Sequence, residues 1–327
     1  MKTGVFIVPT GIGASIGGFA GDASIWARKI AQKCKLIVNP NVVNAACFSG
    51  ITDNMLYVEG YTLDEFFRGK CSLEQSYNNK IGVVFDKSIP QRILNVHINT
   101  INAVKTVYGI DIIGYEITEK EVGVKFFIDS SGTSMGNVSD LSTIKTAAEK
   151  LINRGAEAIA IVCKFPEDEG EDYANGIGVD PVGGVEAIIS HYISKELKVP
   201  CAHAPAFDNI EISTDIVDSR ASAEYITPTF LPCILIGLSQ APLIISPSPQ
   251  PSPVGRGSND NNLSVHNIDF LIVPYNAMGC IPVLEMTKLR KKIYAIKENK
   301  TVLDVTPEKI HVRCDIINTY EELLELI

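Results

Sequence analysis

His203 has the surroundings of a side chain that moves protons. It stands in Pro200-Cys201-Ala202-His203-Ala204-Pro205-Ala206, where small neighbours leave an imidazole accessible and two prolines stiffen the backbone. The same segment reads equally well as a tight loop whose histidine bonds a backbone carbonyl. Asp129-Ser130-Ser131-Gly132-Thr133-Ser134-Met135-Gly136 supplies hydroxyls, glycines and one carboxylate. Ser130 and Ser131 are nucleophile candidates there with Asp129 beside them, and the loop's N–H groups suit an oxyanion. No α/β-hydrolase family claim is drawn from this loop.

The third stretch is Val5–Ala23, VFIVPTGIGASIGGFAGDA, with five glycines in eleven residues: Gly11, Gly13, Gly17, Gly18 and Gly21. A buried strand ending in a glycine turn, followed by a helix, brings backbone amides up to a ligand. Thr10, Gly11, Gly13 and Gly17 are therefore expected substrate contacts, joined by Asn44, Thr133, Ser134 and Asp180. A dinucleotide turn needs an acidic residue about 20 positions on. Here the second strand ends in Asn39-Pro40-Asn41, and no GKS or GKT is present, which sets NAD(P) and P-loop readings behind. The acidic run Glu167–Asp172 with Asp180 leaves a divalent metal open, with a solvated surface loop as the plainer reading. No cofactor is required by the sequence.

These loops need a scaffold, and the chain supplies strand, loop and helix in repeated order. Apolar runs such as Ile81–Phe85 and Ala156–Val162 read as strands buried in a parallel sheet. Gln91–Tyr108, Leu141–Arg154 and Val185–Leu197 have helical spacing. His97 lies on the apolar stripe of the first of these and reads as a packed residue, and His191 on the third reads as structural. Phe6-Ile7-Val8-Pro9 is echoed by Leu271-Ile272-Val273-Pro274, so two matching strands would lie side by side. The fold class expected is α/β, a mostly parallel sheet with flanking helices in Rossmann-like layers, and a ligand cleft at the C-terminal strand ends. Residues 1–327 form one unit or two pseudo-similar lobes, with a flexible Pro/Ser/Gly insertion at 245–263.

Composition narrows the partners. The chain has 327 residues, 46% hydrophobic and 20% charged, with a formal net charge of -9. No Lys/Arg block exists to make a nucleic-acid footprint. No run of about 18 apolar residues suggests a membrane span, and the N-terminus does not read as a signal peptide. Eight widely spaced cysteines, without CxxC, suggest reduced thiols in a cytoplasmic protein. The expected partner is a small-molecule substrate, with a homo-oligomer left open.

The phrases VPTGIGASIGGFAGD, NPNVVNAA, YVEGYTLD, GVDPVGGVEAIISH, VPCAHAPAF and TFLPCILIGLSQAP together resemble a bacterial family of uncharacterised proteins, a domain of unknown function. The resemblance covers nearly the whole chain apart from the insertion, and it implies no particular activity. A lesser likeness to aspartate/glutamate-type racemases at AEKLINRGAEAIAIVCKF stops at Cys163, because no matching Cys-Thr/Ser-Asn phrase occurs elsewhere. The chemistry expected is hydrolysis of a carbonyl- or carboxylate-bearing substrate, with the glycine and serine loops as oxyanion hole and His203 as general acid/base. The alternatives are an isomerase or racemase using the same cleft, and a non-catalytic nucleotide or small-molecule binding protein.

Overall fold

Two parallel sheets carry the chain. The computed structural model describes residues 1–167, 173–247 and 262–327. Six strands form the first sheet in the order Asp315–Ile317, Lys292–Ile296, Phe270–Pro274, Thr3–Phe6, Lys35–Val38, Met55–Tyr57, all parallel. The second has the order Cys201–Ala206, Ala158–Lys164, Ile81–Phe85, Ile112–Ile117, again parallel. The central strands are apolar on both faces because helices cover both, which is why Ile81–Phe85 is buried at every position. The fold is α/β with parallel sheets and flanking helices, as the sequence pattern implies.

The repeated IVP phrase has a structural counterpart. Thr3–Phe6 pairs directly with Phe270–Pro274, with Phe6 opposite Ile272, and Ile7 extends the ladder by donating to the carbonyl of Ile272 at 3.0 Å.

One helix joins the two sheets. Leu231–Ser239 is apolar almost all round, and such a helix must be buried on every side. It packs on the strands of the second sheet, and a Cβ on its Gly237 would stand 2.7 Å from the ring of Tyr57 in the first. Pro228 lies between it and the short helix Ser222–Tyr225, and Pro232 sits in its first turn, where a missing N–H costs nothing. One cluster of buried side chains accordingly runs through Phe6, Val38, Val83, Val162 and Leu235.

His203 lies on a strand rather than in a loop. Cys201–Ala206 is the edge strand of the second sheet, and His203 stands opposite Ile161. An edge strand tolerates Pro205 because its outward N–H needs no partner. Ala202, Ala204 and Ala206 fill the core side, leaving the alternate side free for the imidazole. Of the expected insertion at 245–263, positions 248–261 lie outside the described residues. Its two ends, Leu243–Ile245 and Asn262–Leu263, both pair antiparallel with Ser72–Glu74. No helix among the described residues is long and apolar enough to cross a membrane.

Candidate functional site

A cavity of about 790 Å³ opens at the C-terminal ends of both sheets, large enough for a small organic molecule. Thr10, Asn44, Asp180 and His203 line it, as does Gly18 of the glycine loop. It also exposes Glu59, Glu186, His191 and Glu224, none of which the sequence reading placed in a site.

The glycine loop shapes the cavity more than it offers amides to it. The N–H groups of Ser15, Ile16 and Gly17 are bonded to Lys300 O, Asn299 Oδ1 and Asp22 Oδ1 at 2.7, 3.1 and 2.7 Å. Asn39 clamps Val8 with two bonds, accepting from its N–H at 3.1 Å and donating to its carbonyl at 2.8 Å. Gly11, Gly13 and Gly17 do not line the cavity. They adopt positive φ of 72°, 55° and 88°, which a side chain strains to reach. The asparagines at the second strand end therefore brace the loop, while Asn44 accepts from the Tyr57 hydroxyl at 3.1 Å.

The hydroxyl-rich stretch is corrected most. Val124–Ile128 and Ser134–Val138 form an antiparallel hairpin, and Asp129 to Thr133 are its turn. Asp129 Oδ1 accepts from the Ser131 hydroxyl at 2.6 Å and from the N–H groups of Ser131 and Thr133 at 2.8 and 3.1 Å. The hydroxyl bond leads in holding its carboxyl below the usual range. Ser130 and Ser131 are exposed, and neither they nor Asp129, Thr133 or Ser134 line the cavity. Asp, Ser and Gly in this order are turn formers before they are anything else. Ser134 is buried, donating to the Pro181 carbonyl at 2.7 Å and accepting from the N–H of Gly184 at 3.0 Å. It anchors the helix Gly183–Leu197 and leaves no hydroxyl for a substrate.

That helix carries the centre of the site. Glu186 and Ser190 are four residues apart and share a face, which packs on the strand bearing His203. His203 Nδ1 is 3.0 Å from Ser190 Oγ, and Nε2 is 3.4 Å from Glu186 Oε2. The Ser190 hydroxyl donates back to the carbonyls of Glu186 and Ala187, each at 3.4 Å, so its oxygen accepts from an Nδ1–H. With Nδ1 protonated, the Nε2 contact to Glu186 needs one further shared proton. Glu186 is only 8% exposed, and its second oxygen, Oε1, is buried with no hydrogen-bond partner.

The neighbouring groups are neutralised by burial. Asp180 is pushed up to about 7, first by desolvation and then by the charge of Glu186. Glu224, which accepts from the Tyr173 hydroxyl at 3.2 Å, is pushed up to about 8 by desolvation and then by Asp180. Both are half-buried, and the area they expose faces the cavity. His191 lies 3.7 Å from Glu59, yet burial lowers it to about 4 and raises Glu59, so proximity does not make them an ion pair near neutrality. Glu59 caps the helix Gly60–Phe67, accepting from the N–H groups of Tyr61 and Thr62 at 2.8 and 2.6 Å.

Thiol nucleophiles are disfavoured. Burial raises Cys163 and Cys201 well above the ordinary range, and lifts the cavity-lining Cys233 and Cys280 to about 12 and 11. A protonated thiol is a poor nucleophile. Among the described residues no group of three or more His, Cys, Asp or Glu side chains is placed to hold a metal ion. Residues 168–172 of the acidic run lie outside that description.

Residues 3–327 match a family described as protein of unknown function (DUF3326). The chain belongs to that family. The resemblance carried by the glycine loop, GVDPVGGVEAIISH and VPCAHAPAF thus extends over nearly the full length. The chain is also 37% identical over 325 residues to an uncharacterized lipoprotein of Synechococcus sp., covering 98% of this chain and 88% of that protein. No solved structure matches it. The relative's name overturns the expected cytoplasmic location, because a lipoprotein is not a freely dissolved cytoplasmic protein. The cysteines behind that expectation are free, and five of the eight are buried, so they report packing rather than compartment.

Proposed function

We propose that the chain is a hydrolase of a small substrate in which the Glu186–His203 pair moves the proton. The observation that carries this reading is the divided state of one carboxylate. Glu186 lines the cavity, with Oε2 facing the imidazole while Oε1 is buried and unpartnered. A buried carboxyl with one free oxygen suits a general base, because it meets its reactant without first shedding water. Water in the cavity gives its proton to Glu186 as its oxygen bonds to the substrate's electrophilic carbon. The same pair returns that proton to the leaving group as the scissile bond breaks. His203 holds the second carboxylate oxygen and shares the proton, a positioning task distinct from the direct acid/base role that its sequence setting suggests.

The lining also bears on what enters. Glu59, Asp64, Asp180, Glu186 and Glu224 converge on the cavity, with no Lys or Arg among the described residues that line it. A carboxylate substrate would meet like charge there, so a substrate without net negative charge fits better than the carboxylate-bearing one suggested by glycine-loop amides.

The reading is tested by turnover of a panel of small neutral and cationic esters, amides and glycosides, comparing wild type, E186Q and S131A. E186Q is expected to lower kcat about a hundredfold or more, the scale of a lost general base, and S131A to leave it unchanged. Turnover by E186Q equal to wild type overturns it. Deuterium entering recovered substrate from heavy water without bond cleavage replaces hydrolysis by isomerisation.

A further inference from the structure

Two ionisable groups that line the cavity have no part in that proton path. Asp180 stands just before the helix Gly183–Leu197, with Oδ1 accepting from the N–H of Val182 at 3.0 Å. Glu224 comes from the short helix Ser222–Tyr225 and is tied to the Tyr173 hydroxyl. Glu224 feels the charge of Asp180, and both feel that of Glu186. Three carboxyl groups gathered in a cavity with no Lys or Arg in its lining, among the described residues, are a costly arrangement when nothing positive enters. Glu186 Oε1 adds a second, independent sign. It is a buried carboxylate oxygen with no donor in the protein, and such an atom calls for a donor from outside.

An aromatic wall stands beside these groups. Phe19 and Tyr173 both line the cavity and are stacked with centroids 4.7 Å apart and planes at 26°. The Phe19 ring already carries the Arg220 guanidinium, 4.7 Å from its centroid, so what this pair offers the cavity is apolar surface for a carbon skeleton.

We propose that Asp180, Glu224 and the free oxygen of Glu186 form an ammonium-binding subsite, and that the molecule this cavity takes is a small primary amine. The inference rests on the cavity being the working site, as in the hydrolytic reading above, and names the substrate class of that site. A primary ammonium has three N–H donors, one for each carboxyl. Its charge offsets a repulsion that the empty cavity relieves by keeping protons. Binding an amine therefore displaces protons from Asp180 and Glu224 near neutral pH. The charged or titratable groups that bear on this exchange are Glu186, His203, Tyr173 and Asp22.

Isothermal titration calorimetry of the full chain at pH 7 tests this, with 1,5-diaminopentane as the probe and 1,5-pentanediol as its uncharged counterpart. The diamine is expected to bind saturably and at least about tenfold tighter than the diol, the factor that one lost charged contact is worth. Its heat should differ between phosphate and Tris buffers by the ionisation heat of released protons. E224Q, which keeps the shape and a hydrogen-bond acceptor, should weaken the diamine about tenfold and diminish the proton release. Equal affinity for diamine and diol, unchanged binding in E224Q, or no diamine binding between pH 6 and 9 each overturns the proposal. The two readings fail separately. Diamine binding without turnover of any compound sinks the hydrolase and keeps the subsite, and turnover confined to uncharged compounds does the reverse.

Discussion

The imidazole of His203 is held by Ser190, with Nδ1 3.0 Å from the hydroxyl oxygen. The hydroxyl is fixed in turn by the helix carbonyls of Glu186 and Ala187. This chain of bonds sets which ring nitrogen carries hydrogen and leaves Nε2 for Glu186. Ser190 touches no reacting atom and is a positioning residue. S190A is therefore expected to fold as wild type does and to lower kcat about tenfold, with KM within about threefold, because geometry is lost while binding is kept. Nitrogen NMR of the ring should show the two neutral tautomers mixed in S190A and Nδ1–H dominant in wild type. An unchanged tautomer in S190A would remove the assigned role.

How much of this was legible in the sequence depends on the range of the interaction. The strands were readable because a buried parallel strand is a local apolar run, as in Ala158–Lys164. The place of the glycine loop was readable too, since Gly18 lines the cavity. The state of its amides was not. The bond from Ile16 N to Asn299 reaches across 283 residues, and no local pattern announces it. Ser130 and Ser131 looked like nucleophiles because turn chemistry and oxyanion chemistry use the same small polar residues. Glu186 went unread because a glutamate near a helix N-terminus is ordinary. The available signal was its place in the row Glu186, Ser190, i and i+4, on a helix otherwise rich in Val185, Ile189 and Ile193, all buried.

The glycines of the first loop can be separated by what they do. At Gly18 a Cβ would lie 2.0 Å from the carbonyl oxygen of Ala14. That atom is backbone and cannot swing away, so G18A is expected to cost about 2–3 kcal/mol, the scale of overpacking. Gly69 is the control. It has a positive φ of 70° but nothing within 4 Å of its Cβ position, so G69A should cost only about 1–2 kcal/mol of left-handed strain. Urea unfolding of both variants measures the difference. Gly18 has no positive φ of its own, so a cost no greater than that of G69A would mean that the Ala14 carbonyl moves aside and close approach is not what requires glycine there.

Asp180 makes stability depend on pH in a direction opposite to an ordinary surface carboxylate. Its folded pKa of about 7 lies above the ordinary 3.8 because burial, followed by the charge of Glu186, disfavours ionisation. Between about pH 4 and pH 7 the folded chain thus keeps a proton that the unfolded chain has lost, and stability falls as pH rises through that window. D180N removes the ionisation while its side-chain oxygen still accepts from the N–H of Val182. Wild type and D180N should therefore diverge with pH. The variant gains relative stability from pH 4 to pH 7, on the order of 1–2 kcal/mol after allowance for water in the cavity, and the gap levels off above. Glu224, whose own rise to about 8 includes the charge of Asp180, should titrate lower in the variant. Urea midpoints of the two proteins at pH 4.5, 6, 7 and 8 give the comparison, and a gap that stays flat across this range would show that Asp180 ionises as freely in the fold as in the open chain.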